Sequence, residues 1–395
     1  MKRIKLLDKN LINQIAAGEV IERPASVVKE LIENSIDSGS TKISVEINNE
    51  CRNIRVADNG SGINKDDIEL AFSRHATSKI QTEKDLWNIN TLGFRGEALA
   101  SIISVSKVTC ITRTKDSETG YKAECENSVV KITETGCAQG TIMEIKDLFY
   151  NIPARLKFLK KNQTEFAYIP EILQSLAISH PEIAFVLSSK GNTLLKTLGS
   201  GDIEATISEI YSTELIKELS VINLQDENSK ISISGVTSSP EYTRSNKKAI
   251  YIFVNGRIVR CPVISKATET AYKDLIADNR YPFAVINLEV KPDEVDVNVH
   301  PSKKEVRYTN TNLIYGFVYS AVKNALEKTI KVYAQPVKNA DTNFSGHQTP
   351  FPNEHRSFIA EKTDFKSFKK IYDYNTSEKD HKQTAFAMEE TSKTD

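Results

Sequence analysis

Glu30, Asn34 and Asp37 are spaced i, i+4 and i+7 within the segment PASVVKELIENSID, residues 24–37. On a helix this spacing puts all three on one stripe. A carboxylate able to take a proton from water, a neutral amide oxygen able to ligate a hard cation, and a second acid would then stand in one row. A solvated helix face has the same make-up, so the stripe by itself leaves both readings open. The ends of the segment argue for the helix. Pro24 suits the first helical position, where its missing N–H would have no partner. Gly39 follows the end, where a left-handed residue is commonly needed. Val28, Leu31, Ile32 and Ile36 form the opposite, core-facing side.

Two glycine clusters lie downstream. Asp58-Asn59-Gly60-Ser61-Gly62 ends a pair of alternating runs, 43–47 and 54–57, that read as strands. An acid and two glycines there make a turn where backbone can approach a ligand closely, or simply a turn. Gly93-Phe94-Arg95-Gly96-Glu97-Ala98-Leu99 runs into the apolar stretch 100–104. Glycines opening a helix expose free N–H groups at its positive end, which suits phosphate. Neither cluster has the Gly-Lys-Ser/Thr of a P-loop or the Gly-x-Gly-x-x-Gly of a dinucleotide fold.

The ordered set Glu30-x-x-x-Asn34-x-x-Asp37, Asp58-x-Gly60-x-Gly62, Gly93-Phe-Arg-Gly96 and Gly140-Thr141 resembles the ATP site shared by DNA gyrase B, Hsp90, histidine kinases and MutL. Three strings narrow the resemblance to the MutL family of DNA mismatch repair proteins: NQIAAGEV at 13–20, GFRGEAL at 93–99 and VDVNVHP at 295–301. A chaperone of the Hsp90 type and a topoisomerase ATPase subunit share the ATP site but lack GFRGEAL. The resemblance covers roughly residues 1–333. It implies an α/β fold: a two-layer α/β sandwich of the gyrase/Hsp90/MutL type, followed by a ribosomal-protein-S5-like α/β domain.

The resemblance also assigns roles. Glu30 is expected as general base for the attacking water and Asn34 as a Mg²⁺ ligand. Asp58 is expected to accept from the adenine amino group, with Gly60 and Gly62 giving close backbone approach and Thr141 supporting the adenine end. Gly93, Phe94, Arg95 and Gly96 would meet the phosphates, and Thr77, Ser78 and Lys79 would sit in an ATP lid at about 75–92. Lys303, in HPSK, would reach the γ-phosphate as a second catalytic residue. Asp37 is expected as a structural partner. The cofactors implied are ATP and Mg²⁺, with slow, switch-like hydrolysis.

The chain has 395 residues, with 52 Lys plus Arg against 52 Asp plus Glu, so no global field announces nucleic acid. Local cations must then serve: Arg155, Lys157, Lys160 and Lys161 in one run, and Arg257 and Arg260 at a turn, are the expected non-specific contacts to single- or double-stranded DNA. The five cysteines form no C-x-x-C pair, as suits a reducing bacterial cytosol. Zinc spacing and a signal peptide are both lacking, and the apolar stretch 98–105 is far too short to span a membrane. An ATP-binding domain is expected over 1–203, with an N-terminal arm at 1–23, and an S5-like transducer domain over 204–333. From 334 to 395 polar residues dominate and a disordered linker or tail is expected. A C-terminal dimerisation domain and an endonuclease motif are not expected within this chain. The partners implied are the mismatch-sensing MutS, a downstream nicking endonuclease and helicase, and a second copy of the chain on ATP binding.

Overall fold

The computed structural model describes residues 18, 20–79, 92–93, 96–126, 129–227, 229–291, 295–296, 307–308 and 310–333. The chain divides into two compact units, 1–216 and 217–395.

The first unit is built on an eight-stranded sheet. Its strands are β1 (Lys42–Asn48), β2 (Asn53–Asp58), β3 (Lys107–Arg113), β4 (Gly120–Glu126), β5 (Val129–Thr135), β6 (Gly140–Lys146), β7 (Ala184–Ser189) and β8 (Asn192–Lys196), in the order β5-β4-β3-β6-β2-β1-β7-β8. Only β1 and β7 pair in parallel. Alternation decides which face is covered: Ile43, Val45 and Ile47 of β1, Ile54 and Val56 of β2, and Phe185 and Leu187 of β7 are buried together. The helices that cover them include α1 (Pro24–Asp37), α2 (Ala98–Val105) and, after the short α3 (Pro153–Phe158), α4 (Asn162–Ser179). α1 has the expected bounds. It contributes Val27, Val28, Leu31 and Ile32 to this core and ends where Gly39, at φ +74°, donates to the Ile36 carbonyl.

Register matters most at one end of the sheet. Asp58 stands opposite Thr141, and Thr141 opposite Thr112, so three adjacent strands align their polar residues. All five cysteines are free. Cys110 is wholly buried, and burial pushes its thiol up to about 12.

Some expectations shift. Residues 65–71 form a 3-10 turn, Lys65–Asp67, and one helical turn, Ile68–Ala71; Ile68 is buried but Leu70 is 57% exposed, so no apolar stripe sustains a longer helix. The β7–β8 hairpin turns at Lys190-Gly191, both at positive φ. Helix α5 (Ile203–Ile210), capped by the Asp202 carboxylate on the Glu204 N–H, lies within the first unit with Ile210 against its core. The Ser200-Gly201-Asp202 turn therefore starts a helix of the first unit rather than the second domain.

The second unit holds a five-stranded sheet of β9 (Leu219–Asp226), β10 (Ile231–Ser238), β11 (Ile250–Val254), β12 (Arg257–Ile258) and β13 (Ala284–Glu289), in the order β12-β11-β13-β10-β9. Its core joins Ile222, Ile233, Ile252 and Ile286 to Ile264 of α6 (Pro262–Ala271) and Val318 and Val322 of α7 (Thr311–Tyr333). This is an α/β layer of its own, with β11 and β13 in parallel.

Candidate nucleotide and metal site

α1 carries the acidic stripe outward because its opposite side is sealed in the core. Glu30 is partly open, 27% exposed, with Lys29 Nζ 3.6 Å from its Oε1. Lys29 also meets both oxygens of Glu33 at 2.6 Å. Glu33 is buried, and that burial, with Glu30 and Asp37 nearby, pushes its carboxyl up to about 7 against the pull of Lys29. The lysine thus stands between two carboxylates, one buried and one facing water.

One turn on, the stripe holds a cation. Lys79 Nζ lies 2.9 Å from Asn34 Oδ1 and 2.5 Å from Asp37 Oδ2. Asp37 is 7% exposed on its side chain and accepts further hydrogen bonds from the N–H groups of Leu92 (3.0 Å) and Gly93 (3.1 Å). Asp37 therefore ties residues 79, 92 and 93 to α1. A Cβ on Gly93 would come within 3.3 Å of Lys79 Nζ and 3.6 Å of Asn34 Oδ1, so the loop backbone borders the cluster directly. Gly96, at φ +61°, packs its backbone on Ala76, where a Cβ would stand 2.4 Å from the Ala76 carbonyl. Thr77 accepts from the Lys79 N–H at 3.2 Å, shaping the same turn, and Ser78 is exposed.

The donor set fits a divalent cation. Asn34 supplies a neutral oxygen and Asp37 a nearby charge, and an ammonium already rests on both.

The second cluster lies at the end of β2. Asp58 Oδ1 accepts from Gly60 N (2.9 Å) and Thr141 N (3.2 Å), while Oδ2 accepts from Ser35 Oγ (2.7 Å). Thr112, wholly buried, stands within 3.1 Å of the Thr141 hydroxyl and accepts from Ile63 N at 2.9 Å. Gly62, at φ +75°, passes so near β3 that a Cβ would lie 2.2 Å from the Arg113 carbonyl. Glu30, Asn34, Asp37, Lys79 and Gly93 thus share one edge of α1, and Asp58, Gly60, Gly62 and Thr141 gather at the neighbouring strand ends. The sequence reading did not single out Ser35, Thr112, Lys29 or Glu33. The i, i+4 spacing of Lys29 and Glu33 was a usable signal; nothing local marks Ser35. Phe94, Arg95 and Lys303 lie outside the described residues, as do 80–91, 1–17 and 334–395.

The basic run divides. Arg155 donates to the carbonyls of Gly18 (3.3 Å) and Ile21 (2.9 Å) and sits over the Phe149 ring, so it secures the entry to α1. Lys160 donates to the Tyr168 hydroxyl at 3.2 Å. Lys157 and Lys161 are exposed. In the second unit, Asn255-Gly256 forms the β11–β12 turn at φ +49° and +75°, followed by Arg257 and the exposed Arg260.

Residues 21–144 match the histidine kinase-, DNA gyrase B- and HSP90-like ATPase family, and residues 207–327 match the DNA mismatch repair protein C-terminal domain. The DNA mismatch repair protein MutL of Staphylococcus aureus strain MSSA476 is 41% identical over 386 residues, covering 93% of this chain and 57% of the relative. That of strain Newman is 44% identical over 343 residues, covering 86% and 50%. The chain spans about half the length of these relatives. Among solved structures, an N-terminal domain of a DNA repair protein superposes with TM-score 0.71 at 26% identity, covering 82% of this chain and 99% of that one. The Aquifex aeolicus MutL ATPase domain complexed with ADP gives 0.54 at 28% identity, covering 76% and 98%. In both its matched regions, and in their order along the sequence, the chain belongs to the MutL family of DNA mismatch repair proteins.

Proposed function

We propose that this chain binds Mg·ATP between α1, the 93–96 loop and the end of β2, and hydrolyses it slowly as a conformational switch in mismatch repair. The observation that carries the reading is the cluster of Asn34, Asp37, Lys79 and Gly93 on the helix that also bears a water-accessible Glu30. When bound, Mg²⁺ supplies charge neutralisation at the phosphates. Asn34 would hold it, and Lys79, already a cation on the Asn34 oxygen, would be released toward the phosphates with Thr77 and Ser78. The backbone of Gly93 to Gly96, with Phe94 and Arg95, donates to phosphate oxygens. Glu30 takes the proton of the attacking water, with Lys29 Nζ 3.6 Å from its Oε1 to hold the carboxylate in place. Asp58 and Thr141 hold the adenine. Lys303, in the HPSK string, is the expected γ-phosphate contact.

In this reading the switch couples a mismatch sensor of the MutS type to a nicking endonuclease and a helicase, acts in the cytoplasm, pairs two copies on ATP binding, and touches DNA through phosphate contacts alone. ATP turnover with and without single-stranded DNA, for wild type, Lys303→Ala and Lys304→Ala, tests it. DNA-stimulated hydrolysis that falls with Lys303→Ala and much less with Lys304→Ala is expected. Absence of any ATP turnover or Mg-nucleotide binding would reject the reading. Sedimentation with a non-hydrolysable ATP analogue should show a dimer that is absent without it.

A further inference from the structure

The Asp58 carboxylate is held more completely than base recognition alone requires. An ionised carboxylate offers about four acceptor directions. Among the described residues three are taken: two backbone N–H groups on Oδ1, and the Ser35 hydroxyl on Oδ2 at 2.7 Å. With both oxygens bound, the carboxylate cannot rotate about its Cβ–Cγ bond, and one acceptor direction remains, on Oδ2. In this pair the serine hydroxyl donates and the carboxylate oxygen accepts.

Ser35 is 4% exposed, too deep to meet solvent freely. It stands one residue after Asn34 on α1, and the turn that follows is built around the same acid. Ser38 Oγ donates to the Ser35 carbonyl at 2.8 Å, and Ser61 N to the Ser38 carbonyl at 3.0 Å. Gly60 lies so close that a Cβ would stand 2.0 Å from Ser38 Oγ and 2.6 Å from Ser40 Oγ. The end of α1 and the Asp58 turn are therefore one packed piece, with Ser35 as the link that acts on the carboxylate itself.

We propose that Ser35 is a positioning residue for purine selectivity, leaving Asp58 Oδ2 a single acceptor direction that fits one N–H of the 6-amino group of a purine. A 6-oxo purine would present a carbonyl oxygen to that same oxygen, two acceptors face to face. The inference rests on the reading of Asp58 as the adenine acceptor. It adds that the helix carrying the metal ligand also sets which base is accepted.

The test is a cycle between side chain and ligand. Binding of ADP, purine riboside diphosphate (which lacks the 6-amino group) and GDP, each with Mg²⁺, is measured by calorimetry for wild type, Ser35→Ala, Ser35→Cys and Asp58→Asn. Wild type should prefer ADP to both others. Ser35→Ala should weaken ADP by about tenfold, the size of one lost hydrogen bond to a charged group, and leave purine riboside diphosphate nearly unchanged. Ser35→Cys, a weak donor of similar volume, should fall between and serves if Ser35→Ala does not fold. Equal weakening of ADP and purine riboside diphosphate in these variants, or an unaltered preference, would overturn the proposal and leave Ser35 a packing link. Unaltered preference in Asp58→Asn would instead overturn the reading of Asp58 itself.

Discussion

The two ends of the candidate nucleotide site are held by different means. At the strand end, Asp58 is fixed by backbone from β6, by its own turn and by a buried serine, all belonging to the sheet and its first helix. At the other end, Asn34 and Asp37 stand on the same helix, but what they hold comes from loops: Lys79, Leu92 and Gly93. The first end is held within the sheet and its first helix. The second joins α1 to residues 79, 92 and 93, more than 40 positions further along the chain.

The comparison can be broken at its loop end first. Glu30→Ala should cut ATP turnover by roughly 10²-fold or more while binding Mg·ATP nearly as wild type, since a general base acts in the reaction and not in binding. Wild-type turnover in that variant, measured under saturating ATP, would remove Glu30 from its role. Asp37→Ala comes next. It strips the anchor from one ammonium and two N–H groups, so it should destabilise the local structure at residues 79 and 92–93 by about 1.5–3 kcal/mol and lower Mg-nucleotide affinity. Hydrogen exchange at Leu92 and Gly93 should rise while exchange in β2 and β6 stays slow; a uniform rise would mean the two ends are one cooperative unit.

Smaller effects sharpen the scaffold end and its surroundings. Thr112→Val removes a buried hydroxyl that Ile63 N needs, at about 1–3 kcal/mol in denaturant unfolding, without changing Mg²⁺ dependence. A shifted Mg²⁺ requirement would show that the scaffold end reaches the metal after all. Charge reversal at Lys157 and Lys161 should lower DNA affinity alike for unrelated sequences and reduce the salt slope by about 1 per lost phosphate contact. Arg155→Ala should instead destabilise the fold, because its guanidinium is engaged with the Gly18 and Ile21 carbonyls. If Arg155→Ala altered the salt slope and left the melting temperature alone, that division of the basic run would be wrong.

Much of this was legible in residue types. Pro24 and Gly39 bracket α1 because each solves a backbone problem locally, and the alternation in β1, β2 and β6 shows in their sequence. The Asn255-Gly256 turn likewise follows from its own two residues. What was not legible depends on distant partners. Ser35 reads as an indifferent helical serine until the chain brings Asp58, 23 residues on, to its hydroxyl. Arg155 reads as one cation in a basic run until Gly18 and Ile21, more than 130 residues earlier, present their carbonyls. The 200–202 turn reads as a boundary because glycine and a capping acid suit a linker and a helix start equally well. Asp37 was visible as a structural partner, but which loops it anchors could not be read from a helix alone.

The parallel pairing of β1 with β7 bears on how the chain is made. Every other neighbour in the six strands from β5 to β1 is complete once residue 146 exists, yet Lys42 waits for Ala184. At roughly 5–20 residues per second, the 142 positions from Lys42 to Ala184 take about 7–28 s to synthesise. Through that interval β1, with its row Ile43, Val45 and Ile47, is an open edge able to pair with another nascent chain. A ribosome-bound chain stopped after β6 should therefore recruit holding chaperones more strongly than one stopped after β8, when the edge has closed.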